Sequence, residues 1–327
     1  MSGSNIITSL KKSTELKCIK RGKFSFNKNI LLFCTLRNDS VRIPFFLNYY
    51  RNLGVEHFFF VDNNSDDGFL DLIRKEHDVT VYHTDGSYKN SNFGMDWLNY
   101  LLRKFGCGKW CITCDTDEFL VYPDCEVSPL DDFVKILDSK QIQSFYTLLL
   151  DMYPKGQASN YQSGENPLIS SGYFDGKGDS YLTEGFKVLY NSQPCSYSGG
   201  IWVQGGPRYR VFYKDDHTKS PALNKFCLVK WSKEYYYMHS MHSLFPKRLN
   251  ESHNLHLTGA MLHFKFLSTF KQKVDEELKR KQHYGDSCEY KKYSKKMRQL
   301  NFYDQRFSVK YEDSDQLCKL GLIRNKI

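Results

Sequence analysis

The sequence predicts an α/β protein built on a doubly wound, mostly parallel sheet, with an antiparallel extension and C-terminal helices. Three observations predict it. Short apolar runs alternate with segments of helical periodicity over roughly the first third of the chain. Each run is continuously apolar, as strands buried on both faces are. Each ends in polar or acidic residues, at the carboxyl rim where open α/β sheets bind ligands.

The first strand is read from NILLFCTLRNDS, apolar from Ile30 to Leu36 and breaking at Arg37 and Asp39. VRIPFFLNYYRNLG follows as a helix, with Phe45, Phe46, Tyr49, Tyr50 and Leu53 at helical spacing, Pro44 near the start and Gly54 as the stop. Phe58 to Val61 form a second strand, which ends at Asp62 in a loop of Asn, Ser, Asp and Gly. FLDLIRKEH predicts a second helix and VTVYH a third strand. After a loop from Asp85 to Asn92, GMDWLNYLLRKFG predicts a third helix, its apolar face carrying Trp97, Leu98, Leu101 and Leu102 and its end marked by Gly106. KWCITC is then a fourth strand, and it runs into Asp115, Asp117 and Glu118.

Beyond Gln141 the pattern changes. QSFYTLLLDMYPKG reads as a strand ending at Asp151, but the next hundred or so residues lack long helical periodicity. GGPRYRVFY and FCLVKWSKEYYYMHSMH read as antiparallel strands or strand-and-loop pieces, a layer suited to an acceptor. FLSTFKQKVDEELKRKQHYG restores helical periodicity, and EYKKYSKKMRQL reads as a basic helix. No repeat or low-complexity linker separates the two halves, which are expected to share one continuous core.

Composition narrows the function classes. The chain has 327 residues, 40% of them hydrophobic, enough for a sizeable core. Its 23 Tyr and 24 Phe suit either an aromatic core or a groove of flat rings that stacks sugars or bases. The net charge of +9 is concentrated at the ends: residues 1–30 carry seven basic residues against one acid, and residues 265–327 sixteen against nine. That distribution argues against a nucleic-acid groove through the fold and suits ends that touch an anionic membrane surface, or plain solvated helix. The ten cysteines lie largely inside apolar runs and are read as free thiols; no second CxxC pair or nearby histidine completes a zinc site. The N-terminal residues lack the apolar core of a signal peptide and no apolar run approaches 18 residues, so a cytoplasmic protein is expected, soluble or peripheral on the membrane.

Asp115 and Asp117 stand two apart just past a strand end, so an extended chain would face both carboxylates one way. Hard oxygen donors held like that suit Mg²⁺ or Mn²⁺ with positions left for a diphosphate; the competing reading is a polar strand-to-loop turn. Neither GxxxxGK[ST] nor GxGxxG is present, so a nucleotide would be held by acids and metal instead of a glycine cradle.

LRND, FFLNYYRNLGVEHFFFVDNNSDDG and WCITCDTDEFLVYP resemble, in order, the bacterial family-2-like glycosyltransferases of the GT-A fold, in the branch related to family 92. The resemblance continues through LDMYPKG, YFDG, GGPRYRVF, LVKW, SMH, LHFKFL and QHYGDSCEYKKY, about residues 29–295. It implies a nucleotide-sugar-binding half over 29–155 and an acceptor-binding half of the same domain over 156–265; charge marks a basic extension over residues 1–28 and a basic helical region over 266–327.

The resemblance further implies roles. Asp62 would recognise the nucleoside, with Arg37 and Asp39 near base and ribose. Asp115 and Asp117 would hold ribose and metal-bridged diphosphate. His263 would be a metal ligand, with His242 competing for that role, and Lys265 a countercharge to the diphosphate. The implied reaction is attack of an acceptor hydroxyl on the anomeric carbon, with inversion. It needs a carboxylate base, for which Asp151 is the first choice and Asp175 the second; a helix cap and a turn acid are their structural alternatives. Glu118 is read as a buttress, and Arg208 or Arg210 as facing an anionic acceptor or the diphosphate. The expected donor is a nucleotide diphosphate-sugar, UDP-sugar favoured, with Mn²⁺ or Mg²⁺. The acceptor would be a glycan or lipid-linked sugar of a bacterial surface polysaccharide or lipopolysaccharide. A non-catalytic carbohydrate-binding or scaffold protein of the same fold and a sugar nucleotidyltransferase are the alternatives; the latter wants a glycine- and lysine-bearing phosphate loop that CTLRNDSVRIP lacks.

Overall fold

The computed structural model describes residues 2–156, 161–176, 187–190, 201–215, 219–238, 240–254, 256–296 and 300–325. The chain forms two compact units that interleave along the sequence. The first holds Met1–Thr116, Val127–Phe145 and Phe226–Ser252; the second holds Asp117–Glu126, Tyr146–Lys225 and His253–Ile327. The chain first crosses from one to the other between Thr116 and Asp117, inside the acid run.

The strands among the described residues are β1 (Lys17–Lys20), β2 (Ile30–Leu36), β3 (His57–Asp62), β4 (Val79–His83), β5 (Trp110–Thr113), β6 (Glu118–Val121), β7 (Ser144–Asp151), β8 (Tyr173–Asp175), β9 (Lys187–Tyr190), β10 (Ile201–Gln204), β11 (Asn224–Lys230), β12 (Tyr236–Tyr237), β13 (Leu244–Phe245), β14 (Gly259–His263) and β15 (Ser308–Lys310). In the first unit the neighbours run β1-β4-β3-β2-β5-β11, and in the second β7-β14-β6. Parallel pairing joins β4 to β3, β3 to β2, β2 to β5 and β7 to β14. Antiparallel β1, β11 and β6 pair with β4, β5 and β14. The arrangement is mixed α/β and mostly parallel. The remaining strands pair antiparallel as β8 with β15, β9 with β10 and β12 with β13.

In the first unit the expected strand and helix alternation is present. Helix α1 (Ser2–Lys12) precedes the sheet, and α2 (Ile43–Leu53), α3 (Phe69–Ile73), α4 (Met95–Leu101) and α5 (Leu130–Ser139) follow strands. Helix α2 has Pro44 in its first turn and ends at Gly54, whose left-handed φ of 106° lets its N–H close on Arg51 O at 3.0 Å. Its buried stripe is Ile43, Phe46, Leu47, Tyr50 and Leu53, at the spacing that puts them on one face; Phe45 and Tyr49 lie at its margin. Much of the aromatic content is core. Phe33 stacks on Phe59 at 4.9 Å and Phe59 on Phe105 at 4.5 Å, so the rings fill the space beside β2 and β3.

Three local expectations are corrected. GGPRYRVFY contains a helix, Gly206–Phe212, in place of a strand: Pro207 in its first turn supplies a preset φ and lacks only an N–H that a helix start leaves unused. FLDLIRKEH is helical only over Phe69–Ile73. The chain after β5 does not stay extended, because Thr116 and Asp117 form a turn before β6 begins at Glu118. In the C-terminal part, helices run over Phe270–Arg280 and Tyr284–Lys296. Described cysteines such as Cys34, Cys111, Cys114 and Cys227 are buried and outside any disulfide; Cys195 lies outside the described residues. No helix among the described residues is long and apolar enough to cross a membrane.

The start of α4 carries a buried carboxyl. Asp96 is pushed up to about 6, chiefly by burial, with Glu15 adding and Lys12 opposing. A folded-state value above the unfolded one stabilises below the unfolded value and loses that contribution as pH rises through about 6. Asp96→Asn should therefore raise Tm at pH 7–8, and the gain should vanish below pH about 4, where both forms are neutral. Unchanged Tm at pH 8 would refute this.

Candidate active site

The second unit gathers its chemistry across one row of the sheet. Register sets that row: Glu118 of β6 pairs with His263 of β14, and His263 pairs with Asp151 of β7. Residues directly paired on neighbouring strands project from the same face, so sheet geometry alone brings the three together. Backbone bonds hold the strand ends in place, Phe264 N–H donating to Asp117 O at 2.8 Å and Met152 N–H to His263 O at 2.9 Å.

His263 sits in the middle of the row. Its Nδ1 lies 2.7 Å from Asp151 Oδ1 and its Nε2 3.5 Å from Asp117 Oδ2. Burial opposes a charged imidazole here, yet Asp117 and Asp151 outweigh it and raise the proton affinity of the ring. The other oxygen of Asp151, Oδ2, accepts from Arg208 Nε at 2.7 Å. Burial would raise the Asp151 pKa, but Arg208 and the His263 hydrogen bond prevail and hold it at about 2. Both of its oxygens are thus engaged, with the side chain 1% exposed.

Asp117, Glu118 and His263 present ligand atoms all within 4.8 Å of one another, the metal-capable group among the described residues. Two carboxylates and an imidazole are a hard O/N donor set that fits Mn²⁺ or Mg²⁺. Asp115, the other expected ligand, belongs to the first unit and is not in this group; neither is His242. Glu118 also accepts from Lys225 at 2.5 Å in a fully buried ion pair, in keeping with a buttressing carboxylate.

Lys265 follows the row. Its Nζ is 3.4 Å from Glu289 Oε1, and the same oxygen lies 3.4 Å from Arg208 Nη1. Lys265 also rests over the Tyr290 and Tyr293 rings at 5.1 and 5.2 Å. Burial would lower its pKa, but Glu289 keeps it charged. Arg208 Nη2 is buried without a hydrogen-bond partner. Asp175 is equally buried; Arg210 donates to both its oxygens, at 2.8 and 2.7 Å, and Tyr153 donates its hydroxyl as well. Asp151 and Asp175 line one small cavity with Gly206 and Pro207.

In the first unit the expected nucleoside residues stand at the ends of parallel strands. Asp62 ends β3 and is buried, with Oδ1 accepting from Ser65 N at 3.0 Å and Oδ2 3.1 Å from His83 Nδ1. Arg37 donates to Asn63 O at 2.9 Å, and Asp39 lies 3.6 Å from Arg42. Sequence reasoning missed His83, Lys225 and Glu289. His83 was legible in principle, since it ends the short strand run VTVYH as Asp62 ends its own. Glu289 was not, because only tertiary packing brings it to Lys265.

No family model and no curated protein matches the chain. Solved structures that resemble it do so faintly. HddC from Yersinia pseudotuberculosis aligns at 8% identity and TM-score 0.27, over 41% of this chain and 64% of its own. A mannosyltransferase from Pyrobaculum calidifontis, in complex with GDP-Man and Mn²⁺, aligns at 13% identity and TM-score 0.28, over 45% of each chain. UDP-glucose pyrophosphorylase from Acinetobacter baumanii aligns at 11% identity and TM-score 0.28, over 83% of this chain and 99% of its own. The chain spans less than two thirds of the length of the first two.

Proposed function

We propose that this protein is a metal-dependent, inverting glycosyltransferase that moves a sugar from a nucleotide diphosphate-sugar, UDP-sugar favoured, to a hydroxyl of a glycan or lipid-linked acceptor. The observation that supports it most is the group of Asp117, Glu118 and His263, two carboxylates and an imidazole whose ligand atoms lie within 4.8 Å of one another at the start of β6.

The acceptor oxygen forms a bond to the anomeric carbon as the bond from that carbon to the diphosphate breaks; the diphosphate leaves with the electron pair and the proton of the hydroxyl passes to water. When bound, Mn²⁺ or Mg²⁺ supplies positive charge against the departing diphosphate. In the second unit Asp117 and His263 are assigned to the metal and Lys265 to the diphosphate. Lys265 is suited to that role because Glu289 favours its charged form while its side chain is half-buried. In the first unit Asp62, Arg37, Asp39 and Asp115 are assigned to the nucleoside. Bacterial surface polysaccharide or lipopolysaccharide is the proposed product class, made on the cytoplasmic side of the membrane.

The test is thermal shift against a panel of nucleotide diphosphates and nucleotide-sugars with Mn²⁺. A ligand at about 100 times its Kd should add about 2.7 kcal/mol of stability. Stabilisation by one nucleotide only in the presence of Mn²⁺ supports the reading; a scaffold protein would show none, and a nucleotidyltransferase would respond to a nucleoside triphosphate.

Membrane contact is assigned to α1. Ser9 holds it to the protein by donating to Asp96 O at 3.0 Å, while Ile7 and Leu10 stand 53% and 48% exposed beside Lys11. Ile7→Asp/Leu10→Asp should release the protein from vesicles containing anionic lipid, and added salt should do the same to the wild type. Unchanged sedimentation of the variant would end this assignment.

A further inference from the structure

We propose that Asp151 and Arg208 are positioning residues: they fix the His263 ring so that Nε2 faces Asp117, and thereby set the affinity of Asp117 and His263 for a divalent cation. The inference rests on the metal assignment above and extends it to two residues that do not belong to the ligand group. Three geometric facts carry it.

First, His263 Nδ1 is 2.7 Å from Asp151 Oδ1, so that nitrogen carries a proton donated to the carboxylate and the lone pair available for a cation can only be on Nε2. Second, Nε2 is the atom that faces Asp117, at 3.5 Å. Third, Asp151 cannot turn away, because Arg208 Nε grips its second oxygen at 2.7 Å and both side chains are 5% exposed or less. A carboxylate that orients a ligating histidine through its distal nitrogen is a general means of fixing ring orientation and ligand basicity. The sheet register supplies the spacing here, since Asp151 and His263 are direct partners on parallel strands.

This assignment also accounts for the burial of Asp151. A base must reach the hydroxyl it deprotonates, and a carboxylate with both oxygens engaged and 1% exposure holds a neighbour in place instead.

The experiment titrates Mn²⁺ into the metal-free full chain, followed by electron paramagnetic resonance, for the wild type and for Asp117→Asn, Asp151→Asn and Arg208→Lys. Asp151→Asn keeps the shape and removes the charge; Arg208→Lys keeps the charge and removes the fork. Mn²⁺ affinity should fall about 10- to 100-fold in both positioning variants. In parallel, ¹⁵N-edited spectra of the metal-free wild type should show His263 Nδ1–H as a hydrogen-bonded, downfield proton that Asp151→Asn shifts upfield. Folded positioning variants that bind Mn²⁺ as the wild type does would overturn the proposal while leaving the metal reading intact. If Asp117→Asn binds as the wild type does, the metal reading fails instead. A His263 Nδ1 without its hydrogen-bonded proton overturns the positioning role whatever the metal does, and it remains readable if a variant fails to fold.

Discussion

Asp117→Asn should abolish the dependence of sugar transfer on Mn²⁺ and lower kcat roughly 100-fold or more, with little change in Tm. The substitution keeps the shape of the side chain and removes a charge, and Asp117 is the most exposed member of its cluster at 21%, so the fold does not depend on it. Glu118→Gln should behave in the opposite way. Glu118 is buried against Lys225 at 2.5 Å, and neutralising it strands a buried ammonium, a loss of about 3–5 kcal/mol. Metal titration together with urea denaturation of the two variants separates ligand from buttress. Equal Mn²⁺ dependence in wild type and Asp117→Asn would remove Asp117 from the metal, and unchanged stability in Glu118→Gln would remove Glu118 from the core of the second unit.

Arg208→Leu should be among the most destabilising single changes in the second unit, by about 3–5 kcal/mol at pH 7, because it leaves the Asp151 carboxylate buried without its guanidinium. In the wild type, Asp151 is held at about 2, below its unfolded value, so its contribution is present above pH about 4 and is lost as pH falls toward 2. Without Arg208, burial acts with less opposition and raises the folded value. The contribution then disappears as pH rises through that raised value. The gap between wild type and variant should therefore be widest near neutrality and narrow toward pH 3. Arg208→Leu/Asp151→Leu should recover part of the loss, since replacing both partners of a buried pair costs less than removing one. Urea midpoints across pH 3–8 test this. A gap independent of pH would show that Arg208 acts through packing alone.

Much of the first unit was legible in the chain. Ile30 to Leu36, Phe58 to Val61 and the stretch from Trp110 onward are continuous apolar runs, and a strand buried on both faces has no other way to look. Pro44 and Gly54 bracket α2 because one suits a helix start and the other tolerates a left-handed end. The helix at Gly206–Phe212 was misread because YRVFY resembles an alternating strand locally; the burial of Arg208 against Asp151 overrides that pattern.

The candidate site divides in the same way. The chain by itself determined which residue types follow the strands: Asp62, Asp115, Asp117 and Asp151 all fall where an apolar run stops, because a buried strand surrenders its polar residues at the rim. Only the tertiary structure decided which of them meet. Sheet register put Glu118, His263 and Asp151 in one row, and packing delivered Lys225, Arg208 and Glu289 as partners. Strand order and register are set by contacts between distant segments, which no local spacing records.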